Sequence, residues 1–435
     1  MLKDNSKDIL PGDTFIAING TNDGHKYINE AIKNGATNLI VEYGSYEVDT
    51  KIVPNTKEYL INYLENKYKG INKTIIGITG TNGKTTTAYL LYQALNKVSS
   101  CSYIGTIGYY NNNNEIISIN NTTPGLINLY KYIYENDSKY VVLEVSSHAI
   151  DQRRIGNIKF DYLIYTNITQ DHLDYHKTMD NYFNTKLKLL NNLKENGKVI
   201  INEDDNFLRS INHNQAVFYG KNNPLNQIKN ISFDTNRQIF VFNDKKYTTY
   251  LLGEHNIYNL IPTILILNDL KIIDISNIIE KLSPPPGRME IINNDTNKII
   301  IDYAHTPDAV EKIIKSVKTF AKNDIYVIIG CGGNRDKSKR IIMSTIATNE
   351  ADYAIFTSDN PRNEDINDII KDMTNNLTNT NYEIEIDREK AIIKGIQKLK
   401  KNDILIILGK GHETYQILKD KTIHFSDYEI VIKNL

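Results

Sequence analysis

The sequence predicts an α/β protein in three parts: a small α/β N-terminal unit, a central block with a mainly parallel sheet, and a C-terminal doubly wound, Rossmann-like block. Three observations carry this. Short apolar strands alternate with helical patterns along nearly the whole chain, as in parallel sheets covered on both faces. One strand runs through a glycine turn into a helix at KTIIGITGTNGKTT. Three consecutive prolines in SPPPGRME (283–290) cannot continue a helix and mark an extended linker. These features divide the chain into residues 1–70, 71–283 and 284–435.

In the first part, residues 14–18 and 38–42 read as strands around a helix at 26–34 that Gly35 ends, and KEYLINYLENKYKG closes the unit as a helix. The central block has strands at 75–79, 140–145, 162–166 and 199–201, with hairpins over 215–252. The last block has strands at 298–302, 325–329, 354–357, 383–386 and 404–408.

Composition narrows the function. Among 435 residues, 51 are basic and 52 acidic, a net charge of -1, which excludes the broad positive field of a general nucleic-acid binder. No apolar run reaches the roughly 18–20 residues that cross a bilayer, so no membrane insertion is expected. MLKDNSKDIL is charged where a secretory leader would be apolar. Two cysteines, Cys101 and Cys331, cannot build a disulfide framework or a cysteine metal cluster. The expectation is a cytoplasmic, monomeric enzyme.

The strongest local signal is Gly80-Thr81-Asn82-Gly83-Lys84-Thr85-Thr86. Backbone N–H groups at such a turn face a phosphate chain, Lys84 can reach the terminal phosphates, and the Thr85 hydroxyl can bind Mg²⁺. It is a variant, since the strict pattern requires glycine at position 78, which is Ile78 here. The reading is nucleoside triphosphate binding, which leaves transporters, GTPases, kinases and ligases open.

Glu144 ends the apolar strand VVLEVSSH, where ligands of open α/β sheets gather, and can hold Mg²⁺. TNITQDHLDYH (166–176) places two histidines and two aspartates behind a strand end, a set suited to a second cation. Tyr182, Lys186 and Leu190 follow at i, i+4 spacing on one helix face. On general grounds Lys186 reads as a solvated side chain by about three to one.

Taken together the motifs resemble the Mur ligases, ATP-dependent amide-forming enzymes of peptidoglycan precursor synthesis. In order they are NSK (5–7), DGHKYI (23–28), GTNGKTT (80–86), NTTP (121–124), EVSSHAIDQRR (144–154), TNITQDHLDYH (166–176), GEHNIYN (253–259), PGRME (286–290), DYAHTPDA (302–309), GCGGNRDKSKR (330–340), DNPR (359–362) and GKGHE (409–413). The resemblance covers nearly the whole chain and is strongest to members that add diaminopimelate to the stem peptide.

By that resemblance, Ser6, Thr21 and Asn22 hold the UDP-sugar, and Asn121, Thr122, Thr123, Ser146, Gln152 and Arg154 grip UDP-MurNAc-L-Ala-D-Glu. Gly80 through Thr86, Asn259 and Arg288 bind ATP. Glu144 and His172 join Thr85 as metal ligands. Lys186 falls where the family carries a carbamylated lysine, an anionic oxygen ligand for a second Mg²⁺. Lys84, Lys186, His172, Glu144 and His305 are the implied catalytic set, and the Arg288 and His305 segments close over ATP. The implied reaction phosphorylates the D-glutamyl side-chain carboxylate, after which an amine displaces phosphate.

Asp359-Asn360-Pro361-Arg362 follows a strand and marks family members that take meso-diaminopimelate, whose distal carboxylate suits a guanidinium fork. Arg335, Asp359, Asn360, Pro361, Arg362, Gly409 and Glu413 form the implied amino-acid pocket. The chain departs from the family at Lys7, at Pro262-Thr263, at Asn334 where aspartate is usual, and at Ser338 where glycine is common. A lysine-adding or folylpolyglutamate synthase-like ligase, or a non-catalytic ATP-binding regulator, shares the central motif. NTTP with Ser146, Gln152 and Arg154 favours the UDP-muramoyl substrate.

Overall fold

Alternation of buried strands with amphipathic helices produces five sheets in two compact units, Met1–Phe218 and Tyr219–Leu435. The structure, a computed structural model, describes every residue except 21–22, 112–115, 120 and 234–236.

The first unit begins with a four-stranded parallel sheet, Leu2–Lys3, Thr14–Ile16, Asn38–Val41 and Asp49–Ile52. The expected first helix is Ile28–Lys33 after a 3₁₀ turn, and Gly35, at φ +107°, follows its C-cap Asn34. Helix Thr56–Lys67 starts on Asn55, whose side chain accepts the Glu58 N–H, a standard N-cap.

Five strands of the central sheet run parallel, in the order Leu193–Asn202, Phe160–Tyr165, Thr74–Thr79, Tyr140–Glu144 and Cys101–Gly105. Sequence order therefore jumps on both sides of Thr74–Thr79, and ligand-binding crevices of open sheets lie at such points. The strand is apolar and buried on both faces, as central parallel strands are. Gly77 is required within it, because a Cβ there would lie 2.8 Å from the Phe160 ring.

In the second unit, Ile228–Phe233, Gln238–Phe242 and Lys245–Thr249 form the antiparallel sheet foreseen as hairpins. A six-stranded sheet runs Glu290–Asn294, Asn297–Asp302, Ile404–Leu408, Ile325–Cys331, Tyr353–Ser358, Tyr382–Ile384. Only its first pair is antiparallel. Helices Pro307–Lys318, Ser338–Glu350 and Ile366–Thr374 supply the core on one side, and Arg388–Lys398 and Asp427–Lys433 on the other. The strand expected at 383–386 ends at Ile384, two residues early. Among the described residues, no helix is long and apolar enough to cross a membrane.

Candidate active site

The glycine loop is clamped by the segment after the neighbouring strand. Thr81 N–H donates to Asn167 O at 2.8 Å, Asn82 N–H to Asn167 Oδ1 at 2.9 Å, and Thr166 Oγ1 to Asn82 O at 2.7 Å. Gly80 cannot be any other residue: its φ is +146°, and a Cβ would sit 1.9 Å from Thr166 Oγ1. Gly83, at φ +81°, turns the chain into helix Lys84–Asn96. The loop is thereby fixed at a helix N-terminus, where N–H groups favour anions.

Lys84 Nζ donates to Gly80 O at 2.9 Å and Thr81 O at 2.7 Å. Thr85 Oγ1 donates to Glu144 Oε2 at 2.9 Å. Glu144 is fully buried and also accepts from the Tyr103 hydroxyl, from Thr106 N–H at 3.0 Å and from Thr106 Oγ1 at 3.1 Å. A carboxylate and a hydroxyl side by side are hard oxygen donors, and the pair fits Mg²⁺. Tyr103 and Thr106 escaped the sequence reading, because they meet Glu144 only through the pairing of the Cys101–Gly105 and Tyr140–Glu144 strands.

Lys186 corrects two expectations. It is 1% exposed rather than solvated. Helix Met179–Leu187 also stops short of Leu190, which lies in a 3₁₀ turn, so the supposed three-residue face holds only Tyr182 and Lys186. Lys186 Nζ donates to Gly80 O at 2.9 Å, lies 3.3 Å from Thr79 Oγ1, and sits 4.8 Å from the centre of the Tyr182 ring. Tyr182 in turn meets Thr81 Oγ1 at 3.1 Å. Burial, and secondarily the Lys84 charge, push the Lys186 amine well below its ordinary range.

The histidine-rich loop divides its roles. His172, in the left-handed region at φ +54°, is half exposed, with its ring 4.9 Å from His148 and 6.4 Å from Tyr182. His176 turns inward to Ser147 Oγ at 3.0 Å, and Asp174 is exposed. His172 and Asp171 stay together, with Nε2 3.5 Å from Oδ2, while the His176 ring is engaged by Ser147. Among the described residues no group of three or more His, Cys, Asp or Glu side chains is placed to hold a metal.

Thr123, Ser146, Gln152 and Arg154 do converge. Thr123 Oγ1 donates to Glu144 O at 2.8 Å and accepts Ser146 N–H at 3.0 Å. Arg154 reaches Thr123 O at 3.2 Å and Gln152 Oε1 at 2.8 Å. Thr122 meets Thr106 Oγ1 at 3.2 Å, while Asn121 is exposed. In the 3₁₀ turn Ser6–Asp8 near the N-terminus, Ser6 is buried and donates to Glu30 Oε2 at 2.6 Å. Thr21 and Asn22 lie outside the described residues. Beside them, Asp23 accepts from the Tyr43 hydroxyl at 2.7 Å and bonds His25 Nδ1 at 2.7 Å, which holds its carboxyl down at about 2.

In the second unit, Asn259 is buried on helix Glu254–Asp269, with its amide donating to Asn256 Oδ1 at 3.1 Å. The Arg288 guanidinium lies over the Tyr303 ring at 4.6 Å, and its Nε has no hydrogen-bond partner among the described residues. His305 is exposed, its Nδ1 2.8 Å from Tyr303 O.

The residues expected to form an amino-acid pocket gather near Gly332. A Cβ there would meet Arg362 Nη1 at 2.9 Å and Arg335 Cγ at 3.8 Å, so two guanidinium side chains flank it. Arg362 is left-handed at φ +53°, an uncommon state for its type, and its Nη1 donates only to Gly333 O at 3.0 Å and Asn360 O at 3.3 Å. Among the described residues neither arginine has a carboxylate partner. Asn360 Nδ2 donates to Glu413 Oε2 at 2.8 Å, and Asp359 packs against Gly409. Two departures from the family find local reasons. Asn334 occupies φ +54°, a conformation asparagine tolerates, and its Oδ1 accepts Asn363 N–H at 3.1 Å. Ser338 donates to Asp336 Oδ1 from both N–H and hydroxyl, at 2.9 and 2.7 Å.

Comparison with known proteins gives the family. The family model described as the Mur ligase middle domain matches residues 78–267, and that described as the Mur ligase, glutamate ligase domain matches residues 287–411. The UDP-N-acetylmuramoyl-L-alanyl-D-glutamate--2,6-diaminopimelate ligase of Clostridium botulinum is 39% identical over 98% of this chain and 93% of its own. The Aquifex aeolicus protein of that name is 39% identical over 98% and 92%. A solved structure of a ligase of that name aligns with a TM-score of 0.66 at 28% identity, covering 100% of this chain and 94% of the other. The MurF ligase of Thermotoga maritima in complex with ADP shares the fold, with a TM-score of 0.69 at 20% identity over 94% of each chain.

Proposed function

The chain belongs to the Mur ligase family, and from that premise we propose that it joins meso-diaminopimelate to the D-glutamyl residue of UDP-MurNAc-L-Ala-D-Glu. It is an ATP-dependent ligase that acts in peptidoglycan precursor synthesis, in the cytoplasm. In this reading residues 1–70, 71–283 and 284–435 bind the sugar nucleotide, ATP and the amino acid in that order.

The observation that carries the reading is the convergence of Lys84, Thr85–Glu144 and Lys186 on one clamped glycine loop. The D-glutamyl carboxylate attacks the γ-phosphorus of ATP, ADP leaves, and an acyl phosphate forms. The amine of diaminopimelate then attacks the acyl carbon, phosphate leaves with the bonding electrons, and the amine loses a proton. Lys84 and the loop N–H groups neutralise charge on the transferred phosphoryl group. Thr123, Ser146, Gln152 and Arg154 orient the dipeptide, and positioning of this kind contributes heavily to rate.

Thr85 and Glu144 would hold one Mg²⁺, and His172 with carbamylated Lys186 a second, supplying positive charge beside the phosphates. Carbamylation needs an unprotonated amine, whose nitrogen attacks CO₂ and loses a proton. A buried, depressed Lys186 provides that amine. The guanidinium groups of Arg362 and Arg335 would pair with the amino-acid carboxylates. Phosphate release tests the reading: it should require ATP, UDP-MurNAc-L-Ala-D-Glu and meso-diaminopimelate together. Equal release without the sugar nucleotide would refute it.

A further inference from the structure

We propose that Lys410 is a specificity-determining residue of the amino-acid pocket, offsetting the Glu413 charge in an ion pair so that the pocket keeps a net positive balance and prefers a zwitterion with a second carboxylate over lysine, which carries a net positive charge. The inference rests on the diaminopimelate reading. Lys410 is fully buried, and its Nζ donates to Glu413 Oε2 at 3.1 Å and lies 3.3 Å from Asn360 Oδ1. Both partners are pocket residues. Its ammonium also lies 5.6 Å from the centre of the Tyr415 ring.

A buried ammonium is costly unless paired, and Glu413 is the carboxylate within salt-bridge distance of this one among the described residues. Pairing consumes much of the negative field that Glu413 would otherwise present. Asp359 is the other anion here, and its Oδ1 is taken by Asn360 N–H at 2.6 Å. Among the described residues Arg335 and Arg362 remain without carboxylate partners, so the balance favours anions. Asn360 ties the arrangement together: its amide donates to Glu413 at 2.8 Å, and its Oδ1 accepts Ile417 N–H at 2.9 Å. Removing the Lys410 charge leaves Glu413 a part-buried anion without its cation, which attracts any ammonium and repels a distal carboxylate.

The test is the ratio of kcat/KM for meso-diaminopimelate to that for L-lysine, in the full chain with ATP and the sugar nucleotide saturating. Lys410→Gln keeps an amide that can donate to Glu413 but loses the charge. It should lower the ratio by about tenfold or more, the size expected of an uncompensated charge at such range in a partly polar pocket. KM for ATP should not move. Lys410→Arg should restore the ratio to near the wild-type value. The double variant Lys410→Gln/Glu413→Gln, which removes both charges, should recover much of the ratio while lowering both kcat/KM values. An unchanged ratio in Lys410→Gln, or the same fall in the double variant, would overturn the inference. If Lys410→Gln does not fold, a wild-type-like ratio in the double variant supports the proposal and a lowered one refutes it. The wild-type ratio tests the underlying reading separately, since it involves no change at Lys410.

Discussion

Lys84 and Lys186 donate to the same acceptor, the carbonyl oxygen of Gly80, each at 2.9 Å. Two ammonium groups on one carbonyl repel each other, and Lys186 is the one cut off from water. The chain thus holds a lysine whose charge is disfavoured beside the glycine loop, a setting suited to a carbamate.

Lys186→Ala should therefore nearly abolish ligation, and short-chain carboxylates should partly restore it. Bicarbonate labelled with ¹³C should give a carbamate resonance in the wild type that the variant lacks. Full activity in the variant, or no labelled carbamate, would count against the role.

Lys84→Ala should lower kcat far more than it raises KM for the sugar nucleotide, because Lys84 acts on charge that develops during phosphoryl transfer. The expected loss is about 10²–10³ in rate. Steady-state kinetics check it, and an unchanged kcat would contradict the assignment.

The glycine loop, Glu144 and the cluster of Asn360, Arg362 and Glu413 were legible in the sequence because each follows a strand end within a short motif. What it hid was non-local. Periodicity shows which residues share the helix face of Lys186, but not that the glycine loop and Tyr182 cover it. The hydroxyl cradle of Glu144 comes from a strand some forty residues earlier. Lys410 stood inside GKGHE, yet only the fold reveals that it is buried against Glu413. The meeting of the His176 ring with Ser147 was equally hidden, being a contact between separate elements.

His412 gives a pH-dependent signature. Burial, and then the Arg288 charge, lower its pKa from 6.5 to about 4, and its Nδ1 is buried with no partner among the described residues. Between about 6.5 and 4 the unfolded chain binds a proton here that the folded chain does not. Stability should fall as pH drops through that window and lose this dependence below it. His412→Asn should flatten the fall in Tm between pH 7 and 4. An identical slope in the variant would show that another group is responsible.

The identity of the added amino acid most directly tests the central claim. Ligation of meso-diaminopimelate and of L-lysine should be compared in the wild type and in Arg362→Ala, with the UDP-linked product identified by mass. The wild type should favour diaminopimelate by roughly 10²–10³ in kcat/KM, since lysine leaves Arg362 without its carboxylate, and the variant should lose most of that preference. Comparable kcat/KM for the two amino acids in the wild type would contradict it.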